Sequence, residues 1–145
     1  MSIIQSIRSF IAQCPLLEDG KLNIDYLGVE PLEYSIDSIP CETIIKKYVD
    51  GSEIRQYEFV FASRQAFGSD VWQNLANSDF YEKFADWIDS QNYSENFPDL
   101  GSQYRTPQSV EVTSSGYVFE LDTDNARYQI QLRLTYYQDR RYKNG

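Results

Sequence analysis

The strongest constraint on the fold is a β-rich run on either side of an Asp-Gly pair, within residues 43–63. Asp50 followed by Gly51 is typical of a tight hairpin turn, because glycine readily adopts the positive φ that such a turn requires. That apolar run predicts a central hairpin at 43–63, in the middle of an antiparallel sheet. After the turn, large aromatic residues occupy every second position and so share one strand face that must be covered: Tyr57, Phe59 and Phe61.

The last third of the chain shows the same alternation. We predict a C-terminal meander over residues 107–137, with strands at 110–113, 117–121 and 126–137. One face of the final strand is expected in the core, and the other faces water or a neighbouring subunit. The apolar residues that alternate with polar ones in this strand are Tyr128, Ile130, Leu132, Leu134 and Tyr136.

Two helical segments are available to cover the sheet. Residues 2–13 carry an apolar stripe at helical spacing, with Ser2 as a candidate N-cap and Pro15 just beyond the segment. Residues 70–92 form a second helical segment. Its stripe is clearest at four residues that follow the helical period: Phe80, Phe84, Trp87 and Ile88.

The connecting segments are less regular. Residues 22–27 and 33–36 are predicted to be short strands, and residues 93–106 lack any period, which predicts a mobile loop. Residues 138–145 are predicted to be a flexible tail. The whole pattern predicts a single α+β domain over residues 1–145, in which a mainly antiparallel sheet packs against two or three helices.

The composition excludes several classes of function. The net charge is −9, whereas a sequence-reading nucleic-acid binder needs clustered Lys and Arg. His is absent, which excludes Ser and Cys triads that rely on His and removes the commonest metal ligand. Cys14 and Cys41 lack the paired spacing of a metal or redox site. We expect no signal peptide and no membrane-spanning segment.

Residues 122–125, Asp-Thr-Asp-Asn, form an acidic run that could belong to a calcium-binding loop. Arg127 stands where that loop needs Gly, and Arg133 stands where it needs a bidentate Glu, so a hairpin turn is the better interpretation. The chain contains neither a Gly-rich phosphate loop nor a nucleophile elbow. We therefore expect no catalytic, cofactor-binding or metal-binding residues, and no enzymatic activity.

Several short segments carry a resemblance to a known family. They are Tyr34–Ile36, Pro40-Cys41, Lys47–Ser52, Arg55–Tyr57, Phe59, Phe61, Ser63-Arg64, Gly116–Phe119 and Ala126–Leu134. With these segments, the chain from about Leu22 to Tyr137 resembles small proteins of tailed phages and prophages of Gram-positive bacteria, which are encoded among the head–tail joining genes. These proteins are identified as minor capsid or tail-terminator-like proteins.

The resemblance implies a structural role in virion assembly. Tail-terminator proteins are α+β domains that form a ring, typically hexameric, which caps the tail tube and contacts the head connector. The implied partners are further copies of the chain, tail-tube proteins and head-connector proteins, and the implied location is a virion assembled in the bacterial host cytoplasm. An acidic ring would repel DNA, so the duplex could slide through its channel.

Four arginines are candidate subunit-interface residues, because Arg is enriched at protein interfaces. They are Arg55, Arg64, Arg127 and Arg133. Arg127 and Arg133 share the polar face of the last predicted strand. Solvated charges on a sheet surface are the alternative interpretation for each of the four.

Two other classes of function stay open. A small non-enzymatic interaction module, encoded by a mobile element, would be monomeric and would present residues 93–106 to a partner. An enzyme would need a pocket with a shifted carboxylate pKa, and no residue pattern in the sequence predicts one.

Overall fold

A computed structural model of the protein describes residues 2–17, 21–24, 33–66, 71–121 and 125–144. The helices are α1 (Ile3–Ile11), α2 (Val71–Tyr93) and α3 (Arg141–Asn144), with a 3-10 turn at Pro15–Leu17. The strands are β1 (Lys21–Ile24), β2 (Glu33–Ile39), β3 (Ile44–Lys47), β4 (Glu53–Ala66), β5 (Arg105–Val112), β6 (Tyr117–Leu121) and β7 (Asn125–Gln138).

The seven strands form one sheet with the order β1-β2-β4-β7-β5, in which β3 also pairs with β4 and β6 also pairs with β7. The β1–β2 pair is parallel, and the other pairs of the described strands are antiparallel. The sheet is thus mixed and mostly antiparallel, with helices packed on it. The predicted α+β class is confirmed.

Two long hairpins build the centre of the sheet. One consists of β2 and β3 against β4, and the other consists of β5 and β6 against β7. β4 and β7 are each 14 residues long and pair along their whole length, from Glu53 opposite Gln138 to Ala66 opposite Asn125. β2 and β3 lie end to end along the outer side of β4, and β5 and β6 lie end to end along the outer side of β7. Each hairpin therefore has one continuous inner strand and one interrupted outer strand.

This pairing differs from the predicted meander at 107–137. In the described strands, β5 pairs with β7 and not with β6. The reason is that the connection between them does not reverse direction. It stays hydrogen bonded to Gln131, whose carbonyl accepts from the Thr113 amide at 2.8 Å and whose amide donates to Ser114 Oγ at 3.0 Å.

The first hairpin lies where the sequence predicts it. Tyr48 accepts from the Gly51 amide at 3.1 Å and donates its own amide to the Ser52 carbonyl at 2.8 Å. Gly51 has a φ of +95°, a conformation that strongly favours glycine. Asp50 Oδ1 accepts from the Ser52 amide at 2.9 Å and fixes the turn further.

The core lies between the helices and one face of the sheet. Phe59 and Phe61 of β4 are completely buried, and the Phe84 ring of α2 stacks on the Phe61 ring at 4.4 Å between centroids. Ile7 and Ile11 of α1 belong to the same cluster. Full burial of each such side chain stabilises the fold by about 1.5–3 kcal/mol relative to exposure.

The helices begin and dock through specific polar contacts. Ser2 and Gln5 form a capping box, since Ser2 Oγ accepts from the Gln5 amide at 3.3 Å and the Ser2 amide donates to Gln5 Oε1 at 2.9 Å. Near the C-terminal end of α2, Asn92 accepts from the Val110 amide at 2.9 Å and donates to the Val110 carbonyl. Asn92 thus fastens the end of α2 to the outer edge of β5.

The segment at 93–106 is more structured than the predicted mobile loop. Tyr93 ends α2, Arg105 begins β5, and only residues 94–104 connect them. Leu100 is 5% exposed and belongs to the core cluster, and Pro98 is also buried. A periodic pattern is not needed to bury one or two isolated apolar residues, which is why periodicity did not reveal this docking.

The end of the chain also differs from the predicted flexible tail at 138–145. Gln138 belongs to β7, and the Asp139 amide donates to the Tyr104 carbonyl at 2.8 Å. The Arg105 guanidinium lies 3.8 Å from the centroid of the Tyr142 ring. Cation–π and backbone contacts therefore hold a polar segment that composition alone suggests is solvated.

Candidate functional site

The sheet face opposite the helices carries a polar network that the sequence analysis did not foresee. Arg127 of β7 forms a salt bridge to Asp37 of β2, with Nη2 and Oδ2 2.7 Å apart, and its Nε donates to Gln129 Oε1 at 3.1 Å. Gln129 donates in turn to the Tyr117 hydroxyl at 2.6 Å, and Ser35 donates to Asp37 Oδ1 at 2.5 Å. We call this side of the sheet the polar face.

The network is built by strand register. Ala62 pairs with Gln129 and with Ser35, which places β2, β4 and β7 side chains in one row. Gln129 is only 6% exposed, and its side chain is hydrogen bonded to Arg127 and to Tyr117. Satisfied buried polar groups of this kind make a rigid surface.

Three of the four candidate interface arginines lie on the polar face. Arg64 and Arg127 are cross-strand partners there, and Arg133 lies further along β7. Arg133 Nη2 is 3.3 Å from Glu111 Oε2, in a pair whose side chains are 35% and 52% exposed. The structure thus brings these three residues onto one surface.

Arg55 lies apart from the other three. By strand alternation it shares a face with Phe59, at the end of β4 beside the first hairpin turn. Its Nη2 is 2.9 Å from Oε1 of Glu53, which is largely buried. Arg55, Arg127 and Arg133 therefore each have an acidic partner within the chain, and an interface role for the four arginines stays a prediction.

The first hairpin exposes a group of large apolar side chains. Ile45 is 53% exposed, Tyr48 is 41% exposed and Val49 is fully exposed. They are three of the five large apolar residues that are exposed in the described part of the chain, and the other two, Tyr93 and Tyr142, lie in α2 and α3. We call Ile45, Tyr48 and Val49 the tip.

Three basic residues also lie near the tip. Lys46 and Lys47 of β3 are exposed, and the Lys46 ammonium lies 5.0 Å from the centroid of the Tyr48 ring. Arg140 lies over the turn, so that a Cβ added at Gly51 would be 3.3 Å from the Arg140 Cβ. The tip therefore combines apolar and basic groups in a chain whose net charge is −9.

A cleft of about 390 Å³ opens between α2 and the interruption that separates β5 from β6. We call it the cleft. Its walls are largely apolar. The lining residues are Tyr81, Glu82, Ala85, Val112, Ser114, Ser115, Gly116, Tyr117, Tyr128 and Ile130.

One wall of the cleft is fixed by a close contact between α2 and the start of β6. A Cβ added at Gly116 would lie 2.6 Å from the Cβ of Tyr81, so only glycine fits there without a shift. The Tyr81 hydroxyl donates to the Tyr128 carbonyl at 3.0 Å. Since that hydroxyl has a single proton, Ser63 Oγ, 2.6 Å away, donates to Tyr81.

Burial holds two titratable groups of the described core in their neutral forms. Burial raises the pKa of Tyr81 well above its ordinary value, with the hydrogen bond from Ser63 opposing the shift, so the hydroxyl is a neutral structural donor. Burial likewise raises the pKa of the Cys14 thiol, which makes that thiol a poor nucleophile.

The described residues also bear on metal binding and membrane crossing. No group of three or more Cys, Asp or Glu side chains among them is placed to hold a metal ion. No helix among them is long and apolar enough to cross a membrane. Residues 122–124 of the rejected calcium loop lie outside the described residues.

No protein-family model matches the chain, and no curated protein matches it significantly. The similarity to tail-terminator-like proteins therefore stays a prediction from short sequence segments.

The tip and the cleft were not predicted from the sequence, for different reasons. Val49 carried a usable signal, since β-turns favour Gly, Pro, Asn, Asp and Ser, and a valine beside Asp50-Gly51 is unusual. The cleft carried none. It depends on the separation of β5 from β6 and on the contact between Gly116 and Tyr81, which are 35 residues apart in the sequence.

Proposed function

We propose that the protein is a structural component of virion assembly in a tailed phage or prophage, and that it has no enzymatic activity. In this proposal it acts as a tail-terminator-like or minor capsid protein at the head–tail junction, where copies of the chain form a ring. The observation that carries the proposal is the tip, whose exposed apolar side chains have no cover in the described part of the monomer.

The residue composition at the tip supports a surface for assembly over one for catalysis. Fully exposed Val49 and half-exposed Ile45 are poor choices for a surface that meets only water. Tyr and Arg, which are enriched in protein interfaces, lie beside them at Tyr48 and Arg140. Such a combination is typical of a contact with another protein.

The net charge of −9 supports a channel through which DNA passes without sticking. We expect no retardation of duplex DNA by the protein in a gel-shift experiment at low salt, with a basic DNA-binding protein as the positive control. Retardation that weakens as salt is added would contradict the proposal that the ring repels DNA.

The proposal is tested most directly on tail tubes. The protein is mixed with the tail-tube protein of the same phage or prophage, and the tubes are imaged by negative-stain electron microscopy. We expect extra density at tube ends and none along tube walls. Bare ends at saturating protein would contradict a terminator role and favour the non-enzymatic interaction module, whose partner a pull-down would then seek.

A further inference from the structure

We propose that the tip of one copy docks into the cleft of a second copy of this chain, so that the ring is built by a head-to-tail contact. This inference rests on the proposed function, and it specifies which two surfaces meet.

The tip and the cleft are complementary in chemistry. The tip offers Ile45, Tyr48 and Val49, which are the exposed apolar side chains of one hairpin. The cleft offers apolar walls that include Val112 and Ile130. Burial of the tip against these walls would remove apolar surface from water on both copies, which is the main driving force of protein association.

The two surfaces are also complementary in charge. Lys46 and Lys47 flank the tip, and Glu82 lies on the cleft rim. Beyond Glu82, the outward side of α2 carries exposed Asp86 and Asp89.

Exposed Asp50 in the turn offsets only part of the positive charge of Lys46, Lys47 and Arg140. On α2, Lys83 is already paired with Asp79. A net basic tip would therefore approach a net acidic rim, which favours this docking over contact between two tips or between two clefts.

The positions of the two surfaces exclude docking of the tip into the cleft of its own chain. Gln138 pairs with Glu53 beside the tip, whereas Tyr128 lines the cleft, ten residues earlier in β7. Ten residues of extended strand span roughly 34 Å. The contact is therefore heterologous, with different surfaces on the two copies, and such contacts form rings when the rotation closes.

Cysteine cross-linking tests the contact independently of the final assembly. Cys41 is first replaced by Ser, and Cys14 is left because it is buried. The test chain then carries Val49→Cys on the tip and Ser115→Cys on the cleft rim, both exposed positions. The control chain carries Tyr93→Cys, at another exposed apolar residue, together with Ser115→Cys.

Under a mild oxidant we expect the test chain to form a ladder of covalent oligomers at least about tenfold faster than the control chain, because docking raises the local concentration of the two thiols. Each single-cysteine chain should stop at dimers, since it has one new thiol. Equal rates in test and control chains would overturn the inference. The tube-end experiment reports separately on the proposed function, so density at tube ends without a ladder would overturn the docking mode alone.

Side-chain truncation gives a second measurement. Val49→Ser is expected to weaken self-association at least about tenfold, as truncation of a central apolar contact does. Tyr93→Ser, at an equally exposed position outside the tip, should leave the association unchanged. Equal effects of the two substitutions would overturn the role of the tip. Unchanged thermal unfolding of Val49→Ser, expected for a fully exposed residue, would show that the fold is intact.

Discussion

Tyr81 links three parts of the molecule through one side chain. Its hydroxyl joins Ser63 of β4 to the Tyr128 carbonyl of β7, and its Cβ is the atom that Gly116 must avoid. The side chain is 3% exposed, so these hydrogen bonds are shielded from solvent. Buried hydrogen bonds of this kind cost more to break than exposed ones.

We expect Tyr81→Phe to lower the free energy of unfolding by about 1–3 kcal/mol, because it removes a buried donor to Tyr128 and an acceptor for Ser63. Urea unfolding near neutral pH measures the change. Tyr93→Phe is the matched control, since Tyr93 is 92% exposed, and it should have no effect. A Tyr81→Phe variant as stable as the wild type would contradict the structural role of the hydroxyl.

The same residue predicts a pH dependence. Burial raises the folded-state pKa of Tyr81, so its contribution is complete below the ordinary tyrosine pKa of about 10. Above that pH the unfolded chain releases the proton and the folded chain holds it, and stability falls. The stability gap between wild type and Tyr81→Phe should therefore narrow between about pH 9 and pH 11. A gap that is constant over this range would contradict the raised pKa.

At the scale of elements, the loop at 94–104 is the clearest departure from the sequence-based prediction. Its packing depends on Leu100, which is 5% exposed and lies in the core cluster. We expect Leu100→Ala to lower the free energy of unfolding by about 2–5 kcal/mol. Gln103→Ala, at an exposed position of the same loop, is the control and should change it by less than about 0.5 kcal/mol. Similar small effects of both substitutions in thermal unfolding would show that the loop is not docked.

The polar face allows a second comparison between elements. The Arg127–Asp37 pair is 17% and 23% exposed, whereas the Arg133–Glu111 pair is 35% and 52% exposed. We expect Arg127→Ser to destabilise the fold by about 1.5–3 kcal/mol, and Arg133→Ser by no more than about 1 kcal/mol. Chemical denaturation of both variants measures the difference. Equal losses would show that the Arg127 network is no better shielded from water than the Arg133 pair.

The double variant Arg127→Ser/Arg133→Ser also tests the predicted interface role of these arginines. If copies of the folded double variant associate as strongly as the wild type, both residues leave the list of interface candidates. A loss of association without a loss of fold would place the polar face in a subunit contact. Arg64, their neighbour on the same face, would then be the next residue to replace.

The sequence predicted local structure well where side chains repeat with a clear period. The alternation of Phe59 and Phe61, and the turn at Gly51, correspond to a buried strand face and a positive φ in the structure. Single buried or contacting residues outside periodic segments gave no periodic signal. For this reason the burial of Leu100 and the contacts of Tyr142 were not predicted. Periodicity reports on elements, whereas these contacts depend on single residues.

At the scale of the whole molecule, the pairing of strands could not be predicted from local pattern. β5 and β6 each have β-rich sequence, but nothing in that sequence says that both lie along β7. The length of β7, 14 residues, permits this arrangement, and the contacts of Gln131 with the connection at 113–114 maintain it. The cleft results from the interruption between β5 and β6, so it could not be predicted from the sequence either.

The central claim is that copies of the chain assemble, and the solution mass tests it most directly. Light scattering across a concentration series, with the protein alone and with its cognate tail-tube protein, measures that mass. We predict a ring-sized species several times the monomer mass, alone or on tube ends, with the Tyr93→Ser variant behaving as the wild type. A monomer under both conditions at every concentration would contradict the account and favour a monomeric interaction module.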